Sequence, residues 1–151
     1  VLRPVRFMET HTIANLPVGG ITTDGELVHR FAPDASVQLI AVDDIGKFVA
    51  MAFADPDEYL GEAIDLAGDA LTPHETAALI SQAIGRTITY RQVSGNESGL
   101  TPTALAAIVN PAVMWQADIA DLRRRHPNLR DFRTWLAHGG AERITALLSS
   151  G

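Results

Sequence analysis

One stretch constrains the fold of this chain more than any other. Ala63-Ile64-Asp65-Leu66-Ala67-Gly68 is a mostly apolar run of strand length, and Thr72-Pro73-His74-Glu75 follows it almost at once. Thr72 can cap a helix, proline suits the first helical position, and Glu75 can reach back to close a capping box. The helix so begun buries Leu79, Ile80, Ala83 and Ile84 and ends at Gly85, a residue that tolerates the left-handed turn after a helix. Thr87 to Val93 then reads as a strand again, with Ile88 and Tyr90 on one face. Strand, capped helix, strand is the signature of parallel pairing through a crossover helix.

The same alternation extends upstream. Val1 to Pro4 is a short strand, and Pro4, which donates no ladder hydrogen bond, ends it or places it at an edge. Pro17 to Ile21 reads as a loop, and Asp24-Gly25 is a turn of the hairpin type. Val37 to Val42 is apolar enough for a strand buried on both faces. Asp43-Asp44 is expected to cap a helix from about Ile45 to Ala54, with Phe48, Val49, Ala52 and Phe53 as its buried stripe, stopped by Asp55-Pro56. Residues 1–93 thus form a strand and helix alternation. Residues 94–151 are read as a helical section, with starts at Thr101-Pro102, an interruption at Asn110-Pro111, an end near His126-Pro127, and buried Phe132, Trp135, Leu136, Ile144, Leu147 and Leu148. The expected fold is α/β, a few mainly parallel strands flanked by helices with a helical C-terminal section, in a single and incomplete domain.

Composition narrows the function. The net charge is −6 and the one dense basic run is Arg123-Arg124-Arg125, which argues against a nucleic-acid face. That run reads first as a solvated helix face, secondarily as an anion site. The chain has no cysteine, which removes thiolate nucleophiles, thiolate metal sites and disulfides and suits a cytoplasmic protein. No apolar stretch approaches a membrane span. The chain opens on Val1-Leu2-Arg3-Pro4-Val5 with no polar lead-in, as if entered inside a strand, so a longer parent protein is expected.

Several chemistries lack their residues. No G-x-G-x-x-G or G-x-x-G-x-x-G occurs; Gly19-Gly20 and Gly95 to Gly99 read as ordinary turns. The only lysine, Lys47, has Asp43 rather than tyrosine four residues before it, and the tyrosines are Tyr59 and Tyr90, so the Tyr/Lys dyad of short-chain reductases cannot be built locally. His11, His29, His74, His126 and His138 show no metal-ligand spacing, and no G-x-S-x-G elbow is present. His11 reads as a solvated loop residue before it reads as an acid–base group of a hydrolase or isomerase. Asp43-Asp44 reads as helix capping before paired carboxylates. Asn96-Glu97-Ser98 matches a glycosylation sequon by chance.

Four segments, in order, resemble one family. Leu2-Arg3-Pro4-Val5-Arg6-Phe7-Met8-Glu9, Ile40-Ala41-Val42-Asp43-Asp44-Ile45-Gly46, Gly61 through Gly68 with Leu71-Thr72-Pro73, and Ala117-Asp118-Ile119 through Leu122-Arg123 with His126-Pro127 and Phe132 to Leu136 are similar to the C-terminal part of NmrA-like proteins, atypical short-chain dehydrogenase/reductases. The resemblance implies a Rossmann-like parent that binds NADP or NAD and acts as a reductase or as a redox-sensing regulator. It implies that Pro4, Val5 and Phe7 lie beside the nicotinamide and that Met8 and Thr10 face the substrate, with Asp43 and Asp44 as supporting structure. Thr10 stands where the family pattern has asparagine, and the helical region near Asn110-Pro111 is shorter than usual. Because the Gly-rich turn is missing, no cofactor binding is expected of this chain alone. A small-molecule substrate, no nucleic acid, no membrane, and pairing with either a second copy or an N-terminal half are the expected partnerships.

Overall fold

A computed structural model describes residues 1–13, 16, 18–94, 97, 101–103 and 115–150. The helix expected between Pro102 and Asn110, the Asn110-Pro111 interruption and most of the Gly95 to Gly99 loop lie outside the described residues. In chain order come β1 (Leu2–Pro4), β2 (Arg6–Phe7), a tight 3-10 turn over Met8–Thr12, β3 (Glu26–His29), β4 (Val37–Ile40), α1 (Val42–Ala54), α2 (Pro56–Tyr59), β5 (Ile64–Leu66), β6 (Asp69–Leu71), α3 (Pro73–Ile84) and β7 (Thr89–Gln92). The C-terminal section adds α4 (Ile119–Arg125), α5 (Phe132–Trp135), a wide turn Leu136–Gly140 kinked at Gly139, and α6 (Ala141–Ser149).

Three pairings are parallel: β1 with β5, β2 with β4, and β3 with β7. The expected parallel character holds, but the strands divide into small sheets. The reason sits at two breaks. At Val5, β1 gives way to β2 and the partner changes from β5 to β4; the Val5 N–H still donates to the Leu66 carbonyl at 3.1 Å. At Ala67-Gly68, β5 gives way to β6, which runs antiparallel to β4. Gly68 packs against another backbone there: a Cβ on it would lie 2.3 Å from the Arg130 carbonyl oxygen. Its N–H donates to the Leu39 carbonyl at 2.7 Å, and its carbonyl accepts from Arg123 Nη2 at 2.8 Å. A straight strand through Gly68 would break those contacts, which is why the strand read from Ala63 to Gly68 is shorter and β6 was not foreseen.

The capping box at α3 forms as expected. Glu75 N–H donates to Thr72 Oγ1 at 3.1 Å, Thr72 N–H donates to Glu75 Oε2 at 2.8 Å, and Gly85 takes φ 66°. Helix α1 differs. It starts at Val42, three residues early, with Asp43 and Asp44 inside its first turn rather than capping it. Its stripe also differs: Phe48 is buried, but Val49 is 39% and Phe53 85% exposed.

Two core clusters hold the fold. Met8, Leu27, Leu39, Ile80, Phe132, Trp135 and Ile144 belong to one; Val5, Ile40, Phe48, Leu66, Leu122 and Leu129 belong to the other. The C-terminal helices therefore bury their apolar faces in the same clusters as the strands. Among the described residues, no helix is long and apolar enough to cross a membrane.

Candidate functional site

The segment from Arg6 to Thr12 folds into a knot of side-chain bonds because 3-10 geometry leaves carbonyls free for nearby hydroxyls. Thr10 Oγ1 donates to the Phe7 carbonyl at 2.7 Å, and Thr12 Oγ1 donates to that of Glu9 at 2.7 Å. Arg6 Nη2 donates to Thr10 Oγ1 at 3.0 Å and to the Gly19 carbonyl. Gly19 has φ 89°, a backbone conformation that favours glycine, and a Cβ there would meet the Arg6 guanidinium at 2.1 Å and push it aside.

Five residues were singled out from the sequence, and the structure places them differently from one another. Pro4 is exposed on β1, opposite Leu66. Val5 and Met8 are buried at 3% and 0% in the two separate cores. Phe7 is 40% exposed, and half-buried Thr10 anchors Arg6.

Glu9, not Asp43 or Asp44, closes the start of α1. Its carboxylate accepts the Val42 N–H at 3.1 and 3.2 Å, and also Trp135 Nε1–H at 3.0 Å. Asp44 is buried and accepts the Arg130 N–H at 3.1 Å, facing His126 Nε2 at 3.4 Å; Asp43 pairs with Arg130 Nη1 at 3.0 Å. Both aspartates thus tie α1 to the segment after α4, in keeping with a supporting role. Of the arginine run, Arg124 and Arg125 pair with Asp121, and Arg125 also with Glu58.

His11 corrects the sequence reading. It is not solvated but 2% exposed, packed edge-on against Phe132 with ring centres 5.2 Å apart. Its Nδ1–H donates to the Met8 carbonyl at 2.8 Å. Burial pushes its pKa down to about 3, helped by the Arg6 charge and opposed by the Met8 bond. His29 is pushed down to about 2 by burial first, then by Arg6, His11 and Arg30. Arg6 is itself lowered to about 10 by burial and by Arg30. Arg6, His11, His29 and Thr76, with Leu27 and Leu39, line a cavity of about 20 Å³. Sequence reasoning missed Arg6, His29 and Arg30 as a group. Their one local signal is the run Val28-His29-Arg30 at the end of an unrecognised strand.

The helix N-termini bear on phosphate binding. Glu9 occupies the β4-to-α1 junction and Glu75 the β6-to-α3 junction. Asp118 and Asp131 cap α4 and α5. Each presents a carboxylate where a phosphate would need free amides, so these four helix starts do not fit the phosphates of a dinucleotide.

Short parallel strand pairs, crossover helices and a helical tail define a Rossmann-like α/β protein. The chain belongs to the NmrA-like family, whose model matches residues 7–119. It is similar in structure to NmrA, a negative transcriptional regulator, at 18% identity and TM-score 0.72, over 96% of this chain and 53% of that one. The same regulator in complex with NADP matches at 18% identity and TM-score 0.68, over the same shares of the two chains. L-threonine 3-dehydrogenase from Trypanosoma brucei matches at 19% identity and TM-score 0.61, over 97% of this chain and 46% of that one. The chain thus spans about half the length of the solved structures it resembles.

Proposed function

We propose that this chain is the substrate-side, C-terminal portion of an NmrA-like NAD(P)H-dependent reductase or redox-sensing regulator, and that it does not hold the dinucleotide by itself. The observation that carries the second half of this reading is the closure of both strand-to-helix junctions by the chain's own carboxylates, Glu9 and Glu75. An incoming pyrophosphate would have to displace a carboxylate from amides that it already satisfies. The first half is supported by family membership and by the NAD and NADP complexes of NmrA.

On this reading Pro4, Val5 and Phe7 line the nicotinamide side of the shared cleft, with Val5 contributing backbone rather than side chain. Met8 and Thr10 bound the substrate side. The parent works in the cytoplasm on a small molecule, with neither nucleic acid nor membrane as partner. Calorimetric titration of NADPH into the chain tests this: no saturable heat is expected, and micromolar binding would overturn the reading.

A second reading, a homo-oligomeric interaction module without catalysis, is favoured by one observation. Val42, Val49 and Phe53 lie exposed along α1, with Leu60 exposed just beyond it. Soluble proteins seldom leave such a stripe open to water. Sedimentation distinguishes this reading from the first.

A further inference from the structure

We propose that Arg6 and His29, which line the small cavity beneath the 3-10 turn, form a receptor for a carboxylate group, with Arg30 as the neighbouring charge. The inference stands on these residues and not on the reductase reading. Carboxylate binding without NADPH binding, or the reverse, would separate the two.

One donor on His29 is unmatched. His29 Nδ1 accepts the N–H groups of Arg30 at 2.9 Å and Phe31 at 3.3 Å, so the proton of the neutral ring sits on Nε2. That Nε2–H is buried and has no acceptor, in a residue only 5% exposed that lines the cavity. Arg30, the next residue, buries Nε and Nη1, also without acceptors.

Charge points the same way. All eighteen Asp and Glu residues lie among the described ones, yet neither Arg6 nor Arg30 pairs with any of them. The two guanidinium groups are close enough for Arg30 to depress Arg6, and both depress His29. A cation buried as deeply as Arg6 is ordinarily paired. A water molecule in the cavity would satisfy a donor but leave the charge; an anion answers both.

Size and shape choose the anion. The cavity of about 20 Å³ has room for roughly one water-sized group. It suits the oxygen end of a carboxylate rather than a tetrahedral phosphate, and planar guanidinium matches carboxylate geometry. Arg6 is the only lining residue that is not fully buried, so the rest of a ligand would leave past it.

The experiment follows the ring and guanidinium N–H signals of His29 and Arg30 by NMR in the intact chain. Sodium formate, butyrate, chloride and phosphate are compared at constant ionic strength. Formate should give a saturable shift at His29 Nε2–H that phosphate does not. Tighter binding of butyrate would identify the tail of a larger ligand as the natural source; weaker binding would identify a small free anion. Arg6→Gln should weaken formate at least about tenfold, the loss expected for one charged hydrogen bond. Signals that stay still, or that move alike with every salt, overturn the proposal on the wild-type protein alone, whether or not the variant folds.

Discussion

His11 and His29 are neutral in the folded chain, and this fixes how its stability responds to acid. Burial holds them near pKa 3 and 2, whereas an unfolded histidine titrates near 6.5. Below about pH 6.5 the unfolded state takes up protons that the folded state refuses, so unfolding becomes easier as pH falls. The stability is intact above the unfolded value and is lost progressively toward the folded ones, at about 1.4 kcal/mol per histidine per pH unit. Above about pH 5 the carboxylates held low by their partners, such as Asp121 and Asp131, add little. Urea melts between about pH 6.5 and pH 5 should show that slope, and His11→Asn, which keeps a donor for the Met8 carbonyl, should remove about half of it. An unchanged slope would mean that His11 is not buried as a neutral base. None of this was legible locally. The segment around His11 is polar, and what buries it is Phe132, more than a hundred residues away. Glu9 was legible as a motif residue but not as the cap of α1, because its partners lie far along the chain, Val42 33 residues and Trp135 126 residues away.

At the scale of elements, signals written within a few consecutive residues could be read and those written across the chain could not. The box of Thr72 and Glu75 and the left-handed Gly85 need only local geometry, and both were foreseen. The Asp24-Gly25 turn belongs with them: Gly25 has φ 91° and its N–H donates to Thr22. The division of the strands at Val5 and Gly68 depends on what the chain meets in space. Gly68 joins three segments through Leu39, Arg123 and the close approach of Arg130. Gly68→Ala should therefore destabilise by about 1–3 kcal/mol, the usual cost of forcing a methyl into a packed site. Denaturant melts should show a lower midpoint at unchanged slope. A neutral effect would show that the Arg130 backbone can move aside, and that the strand break has another cause. The stripe on α1 failed for a related reason. Periodicity finds an apolar face, but only packing decides whether this chain covers it, and here Phe48 turns inward while Phe53 does not.

For the whole molecule, the open surfaces on β1 and α1 raise one question, namely what covers them. Among the described residues β1 pairs on one side only, with β5, and α1 leaves Val42, Val49 and Phe53 exposed. A second copy would cover them symmetrically and make association depend on concentration. A complementary half of a Rossmann-like parent would cover them only when supplied. Phe53→Ser separates the two. Burial of one phenylalanine contributes about 1.5–3 kcal/mol, so a dimer built on this face should dissociate at least about tenfold more readily in the variant, read as a shift toward monomer in sedimentation equilibrium. If wild type and variant are both monomeric at the same concentrations, the self-association reading fails. The stripe then stands as the contact for a partner segment, and the family resemblance becomes the better guide to its identity. If the wild type dimerises and the variant dimerises equally well, another surface holds the pair, and α1 loses its claim to either role.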